Sequence, residues 1–481
     1  MTAMPNRTGA EERPIHRRQW LGWAGAAAAA PLLPGPPEIT RPNVLLVLAD
    51  QYPAYATGYA GDPHARTPQL DRLARAGARF TNATSNCPVC TPYRAMLQTG
   101  RWPLTTGMIA NDVRLPEAEH TIAEAFREAG YQTGYIGKWH LDGPERWAFT
   151  PPGPRRQGYA YWAASNCHHQ YTNAYYYRDT PERIAVRGYE PIRQTELVRE
   201  FLAARNRGRP FFLMLSWGPP HPPYHLIPEE LRIFRPDQMR PRPNAVNPNL
   251  QFLADFYSHI AALDHEMGRL LEALEREGVA EDTVVLFTAD HGDMLGSHDR
   301  WDKQIWYEEA VHVPFLLRYP RRVPAGRKLE ALVDVVDIMP TLLGLAGVAI
   351  PQGVEGRDLT PALVGKGPAG ADASLIAGYM PFARQAFHYP EWRGVRTRTH
   401  TYVESRQGPL ELYDHRQDPY QRDNLVNRPA QAGLQQRLAA RLKELLERTG
   451  DRFEPREAYW KRYHLDLGDF GQVRYTTQPP R

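Results

Sequence analysis

The chain has 481 residues, 42% of them hydrophobic and 23% charged, with a net charge of +4. That length exceeds what one small core organises, so a large domain with a smaller companion is expected. The modest charge, without a basic stripe or tail, excludes a nucleic-acid binder, and three cysteines (Cys87, Cys90, Cys167) are too few for a disulfide framework.

Arg17-Arg18-Gln19-Trp20-Leu21-Gly22 is a twin-arginine pattern ahead of a mild, alanine-rich hydrophobic stretch that ends at Leu33. The stretch is shorter than the roughly 20 apolar residues of a spanning helix, so residues 1–40 are expected to be an export signal and linker. Twin-arginine machinery would then deliver a folded bacterial protein to the periplasm or medium, and nothing later in the chain is apolar enough for stable membrane insertion.

Residues 43–49 form a continuous apolar run, the pattern of a strand buried on both faces, which ends at Asp50-Gln51. Residues 67–77 and 121–130 have helical spacing with a glycine stop. Residues 131–138 read as a short strand that delivers Lys138, and residues 211–217 as a buried strand leading to His221. A long amphipathic helix is expected over 251–278, a third strong strand over 283–289 ending at Asp290-His291, a strand over 313–318 and a helix near 337–343. Alternating strands and helices imply an α/β fold with a mostly parallel sheet sandwiched by helices, spanning residues 41–370. After about residue 370 the texture changes. Residues 392–404 alternate like one exposed antiparallel strand and a helix is expected from 430 to 448, so 371–481 reads as a smaller α+β subdomain. Residues 141–190, rich in Pro, Gly, Trp and Tyr, are expected to be a long insertion loop without regular structure.

Strand ends collect the candidate ligands. Asp50, Asp290 and His291 each follow a buried apolar run, and a parallel sheet brings such positions to one rim, where hard oxygen donors with an imidazole suit a divalent cation. Singly, an Asp after a strand is more often a helix cap, and Lys138, Lys303, His140 and His221 have equally ordinary explanations.

The motifs change that balance together. Cys90-Thr91-Pro92-Tyr93-Arg94 with Thr99-Gly100-Arg101, Gly137-Lys138-Trp139-His140, Pro220-His221-Pro222-Pro223, Thr288-Ala289-Asp290-His291-Gly292-Asp293, Trp301-Asp302-Lys303, Asp337-Ile338-Met339-Pro340-Thr341 and Leu412-Tyr413-Asp414 with Asp418-Pro419 occur in this order over residues 41–450. They resemble the blocks of the type I sulfatases, in the alkaline-phosphatase superfamily. The resemblance implies that a formylglycine-generating enzyme converts Cys90 to formylglycine, whose hydrated aldehyde attacks a sulfate ester and passes through a covalent sulfate hemiacetal. It also implies a metal held by Asp50, Gln51, modified Cys90, Asp290 and His291, with calcium ahead of manganese or another divalent ion. Arg94 would stabilise the ionised hydroxyl, Lys138 and Lys303 would hold sulfate oxygens, His221 with Lys303 would protonate the leaving alcohol, and His140 would act as base on the second hydroxyl. Asn111 would donate to a sulfate oxygen, or else shape a turn.

Two departures stand out. Gln51 replaces the second acid of many members, which removes one negative charge from around the metal, and His291 stands where others have Asn. They also keep open a phosphonate monoester or phosphate diester hydrolase as the alternative enzyme, and a glycan-binding module with unmodified Cys90 as the alternative outside catalysis. In the insertion loop, Trp147, Trp162, His168-His169 and Tyr171 to Tyr177 either offer stacking faces to a sugar or staple the loop to the core, with sulfated carbohydrate the favoured substrate class.

Overall fold

The computed structural model describes residues 41–301, 303–367, 370–380 and 390–466. The expected export signal over 1–40 and Asp302 of the Trp301-Asp302-Lys303 block lie outside them. Fifteen strands occur among the described residues: β1 Asn43–Asp50, β2 Ala78–Thr84, β3 Gln132–Lys138, β4 Tyr161–Ser165, β5 Tyr175–Tyr176, β6 Ile184–Ala185, β7 Phe211–Pro220, β8 Thr283–Ala289, β9 His312–Val313, β10 Phe315–Arg318, β11 Arg327–Asp334, β12 Ala373–Gly378, β13 Trp392–Thr397, β14 His400–Ser405 and β15 Gly408–Asp414.

The large sheet runs β11-β2-β10-β8-β1-β7-β3-β4, with β9 paired to β2. β1 lies parallel between β7 and β8, and β3 lies parallel between β7 and β4; only β9 and β10 run against their neighbours. The three most apolar runs therefore sit side by side at the centre, where both faces are covered and no polar side chain is tolerated without a partner. Helices Pro68–Ala76, Glu190–Ala204 and Leu250–Arg276 pack together on one side, while Cys90–Thr99, Ile122–Glu128 and Ile338–Ala346 pack together on the other. The sheet crossings leave β1 with a later strand on each flank, the kind of switch point where ligands collect beyond strand C-termini.

A second, antiparallel sheet runs β12-β13-β14-β15. Helix Ala432–Arg448 covers it through Leu438, Leu442 and Leu445, which pack on Leu375, Val395, Tyr402 and Leu412. The buried Arg396 of β13 donates two hydrogen bonds to Glu308, at 2.6 and 2.7 Å, and fastens this sheet to the large one by contacts to Thr84 and Asn82 of β2.

Two expectations need correction. Residues 392–404 are two strands of a hairpin, largely buried, because the second sheet has the Ala432–Arg448 helix on one face and Trp306 and Tyr307 on the other. Residues 141–190 are not structureless. β4 joins the large sheet, and Trp162, Tyr171, Tyr176 and Tyr177 are buried, so these aromatics staple the segment to the core. Tyr135, Trp139, Tyr159 and Trp162 form one cluster with ring centroids 4.9–5.9 Å apart. No helix among the described residues is long and apolar enough to cross a membrane.

Candidate active site

Asp50 is the last residue of β1, Asp290 follows β8, Lys138 ends β3 and His221 follows β7. The register Ala49↔Ala289 places the first two acids side by side. Cys90 is the first residue of helix Cys90–Thr99, after the extended Val89. Pro92 falls within the first turn, where its missing N–H leaves no intrahelical bond unmade. Arg94 follows one turn later on the same face.

The Cys90 sulfur lies 3.8 and 3.9 Å from the two oxygens of Asp50, 3.4 Å from His291 Nε2 and 3.6 Å from Lys138 Nζ. Arg94 Nη2 bonds Asp50 at 3.0 Å and Asp290 at 3.1 Å, while its Nη1 donates to the Lys138 carbonyl and to Ser216 Oγ. Lys138 Nζ donates to Asp50 at 2.5 Å. Gly137 has φ +101°, and a Cβ there would meet the Ser216 carbonyl oxygen at 2.0 Å, so only glycine lets β3 pass β7 and aim Lys138. Around this centre Gln51, Asp112 and His140 hold left-handed backbone at φ 63°, 65° and 56°, the local strain that gathers at functional sites.

Residues 42–348 match the Sulfatase family and residues 296–448 the C-terminal region of N-sulphoglucosamine sulphohydrolase. The ulvan-active sulfatase of Formosa agariphila is 39% identical over 442 residues, covering 90% of this chain and 86% of that protein. The chain belongs to the type I sulfatase family of the alkaline-phosphatase superfamily. This sulfatase is also similar to the endo-4-O-sulfatase of Bacteroides thetaiotaomicron, at 29% identity over 85% of this chain and 93% of that one. A solved structure from a glycosaminoglycan-metabolism locus of the same organism superimposes with a TM-score of 0.79 at 27% identity, covering 91% of this chain and 100% of the other. The enzyme is a sulfuric ester hydrolase.

Ligand atoms of Asp50, Cys90, Asp290 and His291 all lie within 4.8 Å of one another, and all four residues are buried. The Cys90 sulfur stands where the oxygens of a hydrated formylglycine would be. His291 Nδ1 donates to the Gly292 carbonyl at 3.0 Å, which turns Nε2 toward the cluster, where it can coordinate once deprotonated. Burial and the neighbouring Asp50 push the Asp290 carboxyl up, although His291 and Arg94 oppose this. Burial works the same way on Asp50, but there Lys138, Arg94 and His291 outweigh it and hold the carboxyl far below its usual range. Two carboxylates in repulsion beside the His291 imidazole and the side chain at position 90 fit a divalent cation.

Gln51, expected as a ligand, uses its side chain elsewhere. Its Nε2 donates to Asp293 at 2.7 Å and its Oε1 accepts from Lys303 Nζ at 2.7 Å, leaving one oxygen lone pair. Lys303 also donates to His221 Nε2 at 2.6 Å, and His221 Nδ1 bonds the Pro222 carbonyl at 2.6 Å. Burial and the charges on Lys303 and Lys138 hold His221 well below its ordinary value, so its ring is neutral and accepts from the lysine. Asn111 Oδ1 accepts from the Thr91 amide at 2.8 Å, and its Nδ2 is buried without a partner. His140 Nε2 bonds Asp112 at 2.8 Å. Burial alone would lower this imidazole, but Cys167 and Asp112 push it up to about 10.

All eleven expected site residues thus converge on one rim of the sheet. Sequence reading missed those that hold them. Asp112, next to the noted Asn111, orients His140 and is itself clamped by Arg146 through two bonds of 2.8 Å. Asp293, bonded by Tyr224 at 2.6 Å, anchors Gln51. Asp293 stood inside a recognised block, whereas Arg146 lies in a loop with no pattern to single it out.

Proposed function

We propose that this sulfatase removes sulfate esters from a sulfated carbohydrate, with Cys90, once oxidised to formylglycine, as its nucleophile. The observation that carries this reading is the position of Cys90, which faces Asp50, His291 and Lys138 at the start of a buried helix. The sugar substrate is supported by the ulvan-active and endo-4-O-sulfatase relatives. Asp50, Asp290 and His291 would hold a divalent ion, calcium first, with Gln51 able to lend its remaining lone pair. Such an ion lowers the pKa of an adjacent hydroxyl and offsets charge on a sulfate. Formylglycine hydrate supplies two hydroxyls on one carbon, one to attack sulfur and one to drive sulfate release.

The chain's own groups then divide the remaining work. Lys138, Lys303 and the unpartnered amide of Asn111 bind sulfate oxygens in a largely buried site. Arg94 holds Asp50 and Asp290 in place. The Lys303–His221 pair carries one transferable proton, and the leaving alcohol receives it. His140, charged beside Cys167 and Asp112, donates a hydrogen bond toward the substrate, and its neutral form at higher pH would act as base on the second hydroxyl. Residues 1–40 would direct export to the periplasm or beyond, after the cytoplasmic maturation enzyme has acted on Cys90.

The test is a panel of sulfated mono- and oligosaccharides, run beside an aryl sulfate, a phosphonate monoester and a phosphate diester. The reading predicts sulfate release from at least one sugar with higher kcat/KM than for either phosphorus ester. Faster turnover of the phosphonate than of every sulfate ester would overturn it.

A further inference from the structure

One short segment, Asn166 to Tyr171, touches both histidines of the site. The Asn166 carbonyl accepts from the His140 amide at 2.6 Å, and the Tyr171 hydroxyl donates to the His221 carbonyl at 2.8 Å and to the Gly218 carbonyl at 3.3 Å. Between them the His169 ring lies flat on the His221 ring, with centroids 4.0 Å apart and planes at 7°. His169 Nε2 faces the sulfur of the buried Cys167 at 3.8 Å. The segment is pinned in turn: Cys167 N donates to the Arg146 carbonyl at 2.7 Å, and the His168 ring bonds the Tyr175 carbonyl at 2.9 Å.

We infer that His169 is a positioning residue for His221, holding its imidazole in the orientation needed to pass the Lys303–His221 proton to the leaving alcohol. This rests on the assignment of that pair as proton donor. The two in-plane bonds of His221, to the Pro222 carbonyl and from Lys303, set where the ring nitrogens point but leave the ring free to rock out of its plane. A parallel ring against one face removes that freedom, and Tyr171 fixes the backbone that carries it. Burial and the neighbouring His221 hold His169 well below its ordinary value, so the stack joins two neutral rings without charge repulsion. Stacked rings add only modestly to stability. The effect on rate can be larger, because a misplacement of about 1 Å in a reacting group costs on the order of 100-fold.

The experiment compares His169→Ala, His169→Phe and His221→Ala on two sulfate esters, one with a nitrophenol leaving group and one with a sugar alcohol. A nitrophenolate departs with little help from a proton donor; a sugar alkoxide does not. His169→Ala should lose about 10- to 100-fold in kcat on the sugar ester, with little change in KM, and several-fold less on the aryl ester. His169→Phe, which restores the stacked ring without any polar atom, should recover most of the sugar-ester rate. The aryl activity of each variant also reports that it has folded. Equal losses on both esters for His169→Ala, or no rescue by Phe, would overturn the inference, the second result pointing to direct contact between His169 and the leaving sugar. If His221→Ala is selective for the sugar ester and His169→Ala is not, only this inference fails. If His221→Ala harms both esters alike, the proton-donor assignment itself fails.

Discussion

Asp112 makes the sharpest quantitative case. It is buried, and its two oxygens accept one bond from His140 and two from Arg146, all at 2.8 Å. In Asp112→Asn the amide oxygen can still accept, but the NH2 group faces a donor and the negative charge is gone. Losing one or two charge-assisted bonds at roughly 1.5–3 kcal/mol each, less some solvation regained by the partly exposed Arg146, gives a destabilisation of about 3 kcal/mol. The pH dependence has a definite sign. His140 is raised from 6.5 to about 10 in the folded state, so its contribution is fully present below pH 6.5 and disappears as pH rises through about 10. Asp112 itself is held well below its ordinary value, and its own contribution is flat across that window. The gap between the parent protein and Asp112→Asn should therefore be largest near pH 6 and narrow toward pH 10. Urea unfolding at pH 6, 8 and 9.5 measures it. Coincident midpoints at pH 6, or a gap that widens with pH, would refute this account of the dyad.

Other outcomes follow from single features. Burial pushes Glu190 up from 4.5 to about 8, so the folded state keeps a proton that the unfolded chain loses above pH 4.5; Glu190→Gln should raise stability at pH 8 by roughly 3–5 kcal/mol and change it little at pH 4.5, and equal shifts at both would contradict the burial argument. Gly137→Ala should cut kcat on the order of 100-fold by displacing Lys138, since its new Cβ meets backbone; near-normal kcat would show that β3 can yield. Arg396→Met leaves Glu308 without its guanidinium and should cost about 3 kcal/mol in urea unfolding. Removal of divalent ions by a chelator should abolish turnover and lower the melting temperature, with calcium at 100 times its Kd restoring about 2.7 kcal/mol.

The central fold was legible because its strands bury both faces. Residues 43–49, 211–217 and 283–289 are mostly apolar and almost wholly buried, and Asp50, His221 and Asp290 follow them, so the pattern of the core also located the site. Elements outside the three central strands were harder to see. β2 mixes Arg79, Thr81 and Asn82 with apolar residues, and β11 begins Arg-Lys-Leu-Glu, because half of each faces solvent or a polar seam. β4 was hidden among aromatics whose spacing does not separate a strand from a stapled loop. Within the site, the motif residues proposed to meet substrate stood out by type and position. Their supports did not: Arg146 reaches Asp112 across 34 residues and Tyr224 reaches Asp293 across 69, pairings that only the folded chain creates. His169 was noticed as a candidate stacking group, but its partner, the His221 ring, leaves no trace in the chain's pattern.

Turnover by this chemistry depends most on what Cys90 becomes. Mass spectrometry of the peptide containing Cys90, from natively produced protein of measured specific activity, addresses this directly. Conversion to formylglycine predicts a mass about 18 Da below that of the thiol form, in proportion to activity. Fully active protein carrying only the unmodified thiol at position 90 would contradict the account.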